Sequence, residues 1–158
     1  MKFAVDKMLG RLAKWLHILG YDTLFDPHAS STAVARLAAA DQRVFITRDT
    51  RLVKREGLSE FFIVQSQNYR EQLREVVEHF QLDISSGLFT RCTVCNREIL
   101  PVEKEAVKDR LPEKSALNFD KFYECPECKR VYWGGTHTQN TERRLREIFS
   151  DKIEGEER

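Results

Sequence analysis

Short apolar runs alternate with longer stretches of helical periodicity in the first half of the chain. The runs predict four strands, at residues 2–6, 23–25, 43–47 and 61–64. The run at 43–47 is the clearest, because its β-branched and aromatic residues are typical of a strand covered on both faces. Helices are predicted between the first two strands at 7–19 and after the fourth strand from about 69 to 80. A further helix is predicted to begin at Ser30 or Ser31 and to continue through the alanine-rich VARLAAA. This alternation indicates an α/β fold with a small parallel sheet flanked by helices.

The pattern changes after residue 83. The sequence SSG at 85–87 indicates a joint, and the segment that follows has little helical periodicity. A last amphipathic stretch predicts a helix at about 141–149, and the charged end DKIEGEER is expected to be frayed. We therefore expect a first domain at 1–87, a small second domain at 88–137, and a C-terminal helix with its tail at 138–158.

The four cysteines form two Cys-x-x-Cys pairs, and 29 residues separate the pairs: Cys92 and Cys95 in CTVC, Cys125 and Cys128 in CPEC. A two-residue gap lets both sulfurs of one tight turn face a single ion, and two such turns complete a tetrahedral zinc site. Disulfides or a redox pair fit less well, because redox motifs of this type occur singly near a βαβ unit. The predicted site is a structural zinc ribbon, which is coordinatively closed and stabilises folding without hydrolysing anything.

Two sets of residues around the cysteines have open roles. The cations that flank the sulfurs would offset the negative charge of a four-thiolate zinc site or contact phosphate; they are Arg91, Arg97, Lys129 and Arg130. His137 follows YWGG, and a structural role is favoured for it because four cysteines already satisfy zinc.

The net charge of the chain says little about its function, and only the local distribution of charge is informative. The chain has 26 Lys and Arg against 25 Asp and Glu, a formal net charge of +1, so nucleic-acid binding would require a local basic patch. No apolar run approaches the roughly 18 residues that span a bilayer, and the N-terminal hydrophobic stretch carries charges that a signal peptide would lack. A cytoplasmic location is the expectation.

Asp6 ends the first predicted strand and Asp49 follows the third, at the ends where ligands bind in parallel sheets. If the two strands are neighbours, the carboxylates can share a hard divalent ion, which activates water against a phosphodiester. Aspartate is also common at such turns as a helix cap, so that alternative stays open. The seven glycines form neither a G-x-G-x-x-G nor a P-loop pattern, which disfavours a nucleotide cofactor.

Basic residues accompany both acids. Lys7, Arg11 and Lys14 share one face of the first predicted helix, opposite its leucines. Residues 43–55 carry five positive charges against one negative charge. Each group is either a solvated face or a surface that binds phosphates.

Five strings, in order along residues 2–150, resemble the Mut-seven C-terminal ribonuclease domain family: VDKMLGRLAKWLHILGYDT, FITRDTRL, QSQNYREQLREV, RCTVCN and CPECKRVYWGGTH. That family is described as a PIN-like nuclease fold joined to a zinc ribbon. The resemblance implies that 1–87 is the nuclease domain and 88–137 the ribbon. It also implies that RNA, single-stranded or structured, is the partner, with no membrane involved.

The resemblance assigns roles to particular residues. It implies that Asp6 and Asp49 are catalytic and hold Mg²⁺ or Mn²⁺, and that the Thr47 hydroxyl supports them. It implies that the substrate is bound by Lys7, Arg11, Lys14 and Arg48.

One position departs from the family pattern. An acid is expected at the start of the second helix, twelve residues before Arg43, where this chain has Ser31. A hydroxyl does not replace a carboxylate as a ligand for a hard metal, and Asp26 is the nearby acid that could reach in from the preceding loop. Two main functions stay open: a metal-dependent ribonuclease, and a non-catalytic RNA-binding or assembly module that keeps the fold. A ribbon that makes only protein contacts is a third.

Overall fold

The computed structural model describes residues 1–150, which form two compact units: Met1–Asn96, and a second that begins at Arg97. The tail DKIEGEER, expected to be frayed, lies outside the described residues. Among residues 1–150, no helix has both the length and the apolar character needed to cross a bilayer.

The first unit is built on a sheet of four parallel strands. The strands are β1 (Lys2–Val5), β2 (Asp22–Leu24), β3 (Val44–Thr47) and β4 (Phe61–Ile63). Their order is β2-β1-β3-β4, and β1 pairs with β3 so that Val5 lies opposite Ile46. The predicted α/β fold with a small parallel sheet is therefore confirmed. Because β1 and β3 are the central pair, the residues that follow them lie at the same edge of the sheet.

Helices follow the strands of this unit. They are α1 (Gly10–Ile18), α2 (Ser31–Ala40), α3 (Thr50–Glu56) and α4 (Tyr69–Phe80), and a 3-10 turn at Lys7–Leu9 precedes α1. The 3-10 turn forms because Leu9 N–H donates to the Asp6 carbonyl at 2.8 Å. The helix predicted at 7–19 thus begins with this tighter turn, and α3 is an element that the periodicity did not predict.

The core occupies both faces of the sheet. On one face, Ala4 and Phe45 pack with residues of α2 and α3 such as Val34 and Leu52. On the other, the Phe3 ring makes an edge contact with Phe80 at the end of α4. Covering on both faces explains the continuous apolar run of β3.

The SSG segment packs against the end of α1. Gly20 has a φ of +91°, and a Cβ there would lie 2.2 Å from the Gly87 carbonyl oxygen. Phe89 N–H donates to the Ile18 carbonyl at 2.9 Å, and Arg91 Nε donates to the Gly20 carbonyl at 2.9 Å. These contacts keep the chain in the first unit beyond the expected joint, as far as Asn96.

The second unit contains a three-stranded antiparallel sheet of order β5-β6-β7, with β5 (Leu100–Val102), β6 (Phe122–Glu124) and β7 (Val131–Tyr132). Between β5 and β6 lie α5 (Lys104–Val107) and α6 (Glu113–Asn118). The last helix, α7 (Thr136–Ile148), begins five residues earlier than the predicted 141. Leu145 and Ile148 form its buried face.

Candidate active site and metal centre

A cavity of about 570 Å³ opens where β1 and β3 end, and both predicted catalytic acids line it. The lining consists of Asp6, Met8, Leu9, Ser31, Arg48, Asp49, Thr50 and Arg51. The two acids were expected to lie together if β1 and β3 were neighbours. The two strands do pair in parallel, so their carboxyl ends lie at the same edge of the sheet.

Asp6 is nearly buried, with 5% of its surface exposed. The Ser31 hydroxyl donates to its Oδ1 at 2.6 Å, and the Thr47 hydroxyl donates to its Oδ2 at 2.7 Å. Its side chain makes no cap hydrogen bond to the 3-10 turn that follows. Because each carboxylate oxygen has two lone pairs, one hydrogen bond per oxygen leaves room for a further ligand on each.

Asp49 has a different environment. It is exposed, and its Oδ1 accepts hydrogen bonds from Arg51 N–H and Leu52 N–H, both at 3.0 Å. The helix-cap alternative is therefore correct for this oxygen of Asp49, which caps α3, and it is wrong for Asp6. In the part of the chain that is described, Oδ2 of Asp49 accepts no hydrogen bond.

Thr47 links the two acids. The residue is fully buried at the end of β3, and its hydroxyl donates to Asp6 while accepting from Asp49 N–H at 3.0 Å. One hydroxyl thus orients the Asp6 carboxylate and fixes the backbone from which the Asp49 side chain extends.

Ser31 is the first residue of α2 and stands directly beside Asp6. Asp26 does not line the cavity, and its Oδ1 accepts from His28 N–H at 2.8 Å in an exposed loop. Within residues 1–150, the one cluster of three or more His, Cys, Asp or Glu side chains that could share a metal is the cysteine group. No third carboxylate therefore joins Asp6 and Asp49 among these residues.

Arg48 and Arg51 supply the positive charge of the cavity. Neither guanidinium has a carboxylate partner within residues 1–150. Two unpaired cations beside two acids are a combination that could bind a phosphodiester, because the cations can contact its oxygens and carboxylates are suitable ligands for a hard metal.

The other predicted cations lie elsewhere. Lys7, Arg11 and Lys14 are exposed but do not line this cavity, and Arg11 sits over the Tyr69 ring, 5.3 Å from its centroid. Arg43 precedes β3, at the opposite end of that strand from Asp49. The five positive charges of residues 43–55 are therefore not all beside the acids.

Arg43 takes part in a structural network. Its Nη1 donates to Asp22 Oδ1 at 2.6 Å, and Asn96 Nδ2 donates to the same oxygen at 2.7 Å. Burial would raise the pKa of Asp22, but the hydrogen bonds from Arg43 and Asn96 outweigh burial and hold that pKa below its ordinary value. Asp22 is thus an ionised acid that fixes the edge of the sheet.

The network continues to Thr23, in the middle of β2. Asn96 Oδ1 accepts from Thr23 N–H at 2.9 Å, and His17 Nε2 lies 2.7 Å from the Thr23 carbonyl. Burial lowers the pKa of His17, so the ring is neutral near pH 7. His17 is therefore a buried packing residue.

The four cysteine sulfurs lie within 4.8 Å of one another. A tetrahedral zinc with Zn–S bonds of about 2.3 Å places sulfurs about 3.8 Å apart, so the group fits this ion. Cys92 Sγ accepts hydrogen bonds from the backbone N–H groups of Val94 and Cys95, which hold the sulfur in position. The exposed His137 does not belong to the group.

The two cysteine turns have the same geometry. The N–H of Asn96 donates to the Cys92 carbonyl at 3.1 Å, and the N–H of Lys129 donates to the Cys125 carbonyl at 3.0 Å. Both residues have a left-handed backbone, with φ of 62° and 63°. The two pairs are therefore matching metal-binding turns, consistent with the predicted zinc ribbon.

Two of the cations flanking the cysteines have protein partners. Arg91 donates to the carbonyls of Gly20 and Asn96, and Arg97 donates to the Glu127 carboxylate at 2.8 Å. These contacts support a structural role for both side chains.

Comparison with known proteins gives one finding. A family model described as Mut7-C RNAse domain matches residues 1–145 of the chain. No curated protein and no solved structure gave a significant match. The resemblance carried by the five sequence strings is confirmed.

Proposed function

Because the chain belongs to the Mut7-C RNAse domain family, we propose that it is a metal-dependent ribonuclease that hydrolyses RNA phosphodiester bonds. The observation that carries this proposal is the cavity at the ends of β1 and β3, where Asp6 and Asp49 meet the unpaired guanidiniums of Arg48 and Arg51. Acids that bind a hard metal and cations that bind phosphate are the two groups that phosphodiester hydrolysis requires.

The metal is proposed to be Mg²⁺ or Mn²⁺, held by Asp6 and Asp49 through oxygen ligands. When bound, such an ion polarises a phosphoryl oxygen and activates water. Ser31 and Thr47 hold the Asp6 carboxylate in one orientation, so its oxygens are in place before the metal arrives.

The protein's cations bind the substrate in this proposal. Arg48 and Arg51 contact the phosphate in the cavity, and the exposed Lys7 and Lys14 bind phosphates farther along the RNA. Cys92, Cys95, Cys125 and Cys128 hold zinc, which stabilises the fold and takes no part in hydrolysis.

Two substitutions at Asp49 test the catalytic assignment. Asp49→Asn removes the charge but keeps a side-chain oxygen that caps α3, so cleavage of single-stranded RNA with Mn²⁺ should fall at least a hundredfold, as an order-of-magnitude estimate, while thermal stability is retained. Asp49→Ala should lose both the activity and about 1 kcal/mol of unfolding free energy. Asp26→Asn is the matched control, since Asp26 lies outside the cavity. Wild-type cleavage rates in Asp49→Asn would exclude this site.

The second candidate function is RNA binding without cleavage, and Ser31 is the observation that favours it. The hydroxyl stands beside Asp6 where the family resemblance leads one to expect an acid. Tight binding of single-stranded RNA with no products in Mn²⁺ would support this function over the first.

Restoring the acid distinguishes the two candidates further. Ser31→Asp places a third carboxylate next to Asp6 at the first turn of α2, where a negative charge is compatible with the helix dipole. If Ser31→Asp cleaves RNA and the wild-type chain does not, the serine is the reason for the inactivity. Ser31→Ala serves as the control for loss of the hydroxyl alone.

A further inference from the structure

A second cavity, of about 580 Å³, adjoins the acidic one. Met8 and Leu9 line both cavities, so the two are neighbours on the surface of the first unit. The remaining lining is Gly10, Arg11, Gln67, Asn68, Tyr69 and Gln72. This volume lies within the roughly 300–1,000 Å³ that is typical of small-ligand pockets.

Arg11 and Tyr69 both line this cavity and contact each other, while Arg70 lies 5.9 Å from the Tyr69 ring centroid and donates from its Nε to the Tyr69 hydroxyl at 3.3 Å. The Arg11 guanidinium carbon lies 5.3 Å from the Tyr69 ring centroid, within the range of a cation–π contact. Arg11 makes no ion pair within residues 1–150. Guanidinium planes and aromatic rings are the surfaces on which unpaired bases stack.

Gln72 supplies a free hydrogen-bond acceptor. The residue is 5% exposed, and its Nε2 donates to the Ser66 carbonyl at 2.9 Å, which fixes the side chain. Its Oε1 has no hydrogen-bond partner among the described residues. Among the described residues, the one fully buried side-chain atom without a partner is His17 Nδ1. Oε1 of Gln72 therefore keeps some accessible surface, and Gln72 lines the cavity.

The remaining lining residues match the same kind of ligand. Met8 is 80% exposed, a large apolar side chain at the boundary between the two cavities. The side chain of Gln67 makes no hydrogen bond among residues 1–150. A polarizable apolar group, a stacking plane and free amides are what a nucleobase requires, with its two apolar faces and its polar edge.

We propose that this cavity binds one unpaired base of the RNA, next to the phosphate that lies in the acidic cavity. The base stacks on the Arg11–Tyr69 pair, and an N–H group on its edge donates to Gln72 Oε1. This inference rests on the proposed ribonuclease function and adds to it that the substrate is single-stranded at the site, because a paired base cannot present its edge in this way. It also gives Arg11 a role different from the phosphate contact implied by the family resemblance.

The test measures RNA binding by fluorescence anisotropy, without added Mg²⁺ or Mn²⁺, so that binding is read separately from cleavage. The probe is a labelled ten-nucleotide single strand and a set of the same strand with one base at a time removed. The proteins are the wild type, Arg11→Lys, Tyr69→Ala, Tyr69→Phe and, as a charge-loss control away from the cavity, Arg36→Ala. Thermal unfolding of each variant confirms that it is folded.

Removal of the base that occupies the cavity should weaken binding of the strand to the wild type by about tenfold, which lies within the range for base stacking on aromatic side chains. Arg11→Lys keeps the charge but loses the plane, so it should weaken binding to the intact strand by a similar factor and lose its sensitivity to that abasic position. Tyr69→Ala should behave in the same way. Tyr69→Phe keeps the ring and should therefore keep the sensitivity to the abasic position, and Arg36→Ala should match the wild type. The salt dependence of Arg11→Lys should stay unchanged, because no phosphate contact is lost.

The inference is overturned if Arg11→Lys binds like the wild type, or if the abasic effect persists in Tyr69→Ala. Cleavage by the wild type in Mn²⁺ is measured separately. Cleavage without base-dependent binding would overturn only the base site, whereas base-dependent binding without cleavage would overturn only the ribonuclease assignment. Absence of any RNA binding would overturn both.

Discussion

Thr47 is the side chain on which both acids of the cavity depend. Its hydroxyl donates to Asp6 and accepts from Asp49 N–H, and it is shielded from water. A buried polar group that loses its partner destabilises the protein more than an average hydrogen bond stabilises it.

Thr47→Val replaces this hydroxyl with a methyl group of nearly the same shape. We expect a loss of about 1–3 kcal/mol in the free energy of unfolding, because the partners at Asp6 and Asp49 are left without a hydrogen bond. RNA cleavage should fall further than this loss explains, since the Asp6 carboxylate is then held by Ser31 alone. Urea unfolding and initial cleavage rates measure the two effects. Thr47→Ser keeps the hydroxyl and should retain most of the activity; a valine variant with the wild-type rate would contradict this role.

The positions of both acids could be predicted from the sequence, because a strand fixes which residue follows its end. Their hydrogen bonds could not. The contact between Ser31 and Asp6 depends on where α2 begins relative to the end of β1, and local sequence does not encode that relation. The cavity lined by Arg11 and Gln72 was not predicted for the same reason, because these residues belong to α1 and α4 and only the packing of the two helices brings them together.

Hydrophobic periodicity predicted the helices and strands that are long enough to present a clear apolar face. The predicted bounds of α4 match the structure because its twelve residues present a clear apolar face. The seven-residue α3 has only Leu52 and Val53 buried among charged residues, which is too short a pattern to detect. Its ends are set locally, by the Asp49 cap and by Gly57 in the left-handed conformation.

Alanine substitutions at two glycines distinguish the cost of a strained backbone from the cost of a steric clash. Gly57 and Gly20 both have a positive φ, but a Cβ on Gly57 meets nothing within 4 Å, whereas one on Gly20 meets the Gly87 carbonyl oxygen at 2.2 Å. Gly57→Ala should therefore destabilise the protein by about 1 kcal/mol. Gly20→Ala should destabilise it by several times as much, because the 87–91 segment must move. Chemical unfolding of both variants checks the comparison, and equal effects would contradict the close packing of Gly20 against Gly87.

We expect the stability of the folded chain to depend on zinc bound by the two cysteine turns. Purified protein should contain about one zinc per chain by elemental analysis, because four thiolates complete a closed site. Cys125→Ser should lose this zinc and lower thermal stability. Asp6→Asn should keep the zinc while losing cleavage, which separates the structural ion from the catalytic one. If removal of zinc from the wild-type protein left its thermal stability unchanged, the ribbon assignment would be contradicted.

The network around Thr23 has a consequence for self-association. Strand β2 is at the edge of its sheet, and the free backbone groups of an edge strand can pair with the strand of a second molecule. Both backbone groups of Thr23 are taken by side chains, the N–H by Asn96 and the carbonyl by His17. The middle residue of this edge therefore has no free backbone group for strand addition, which disfavours the pairing of β2 with a second molecule.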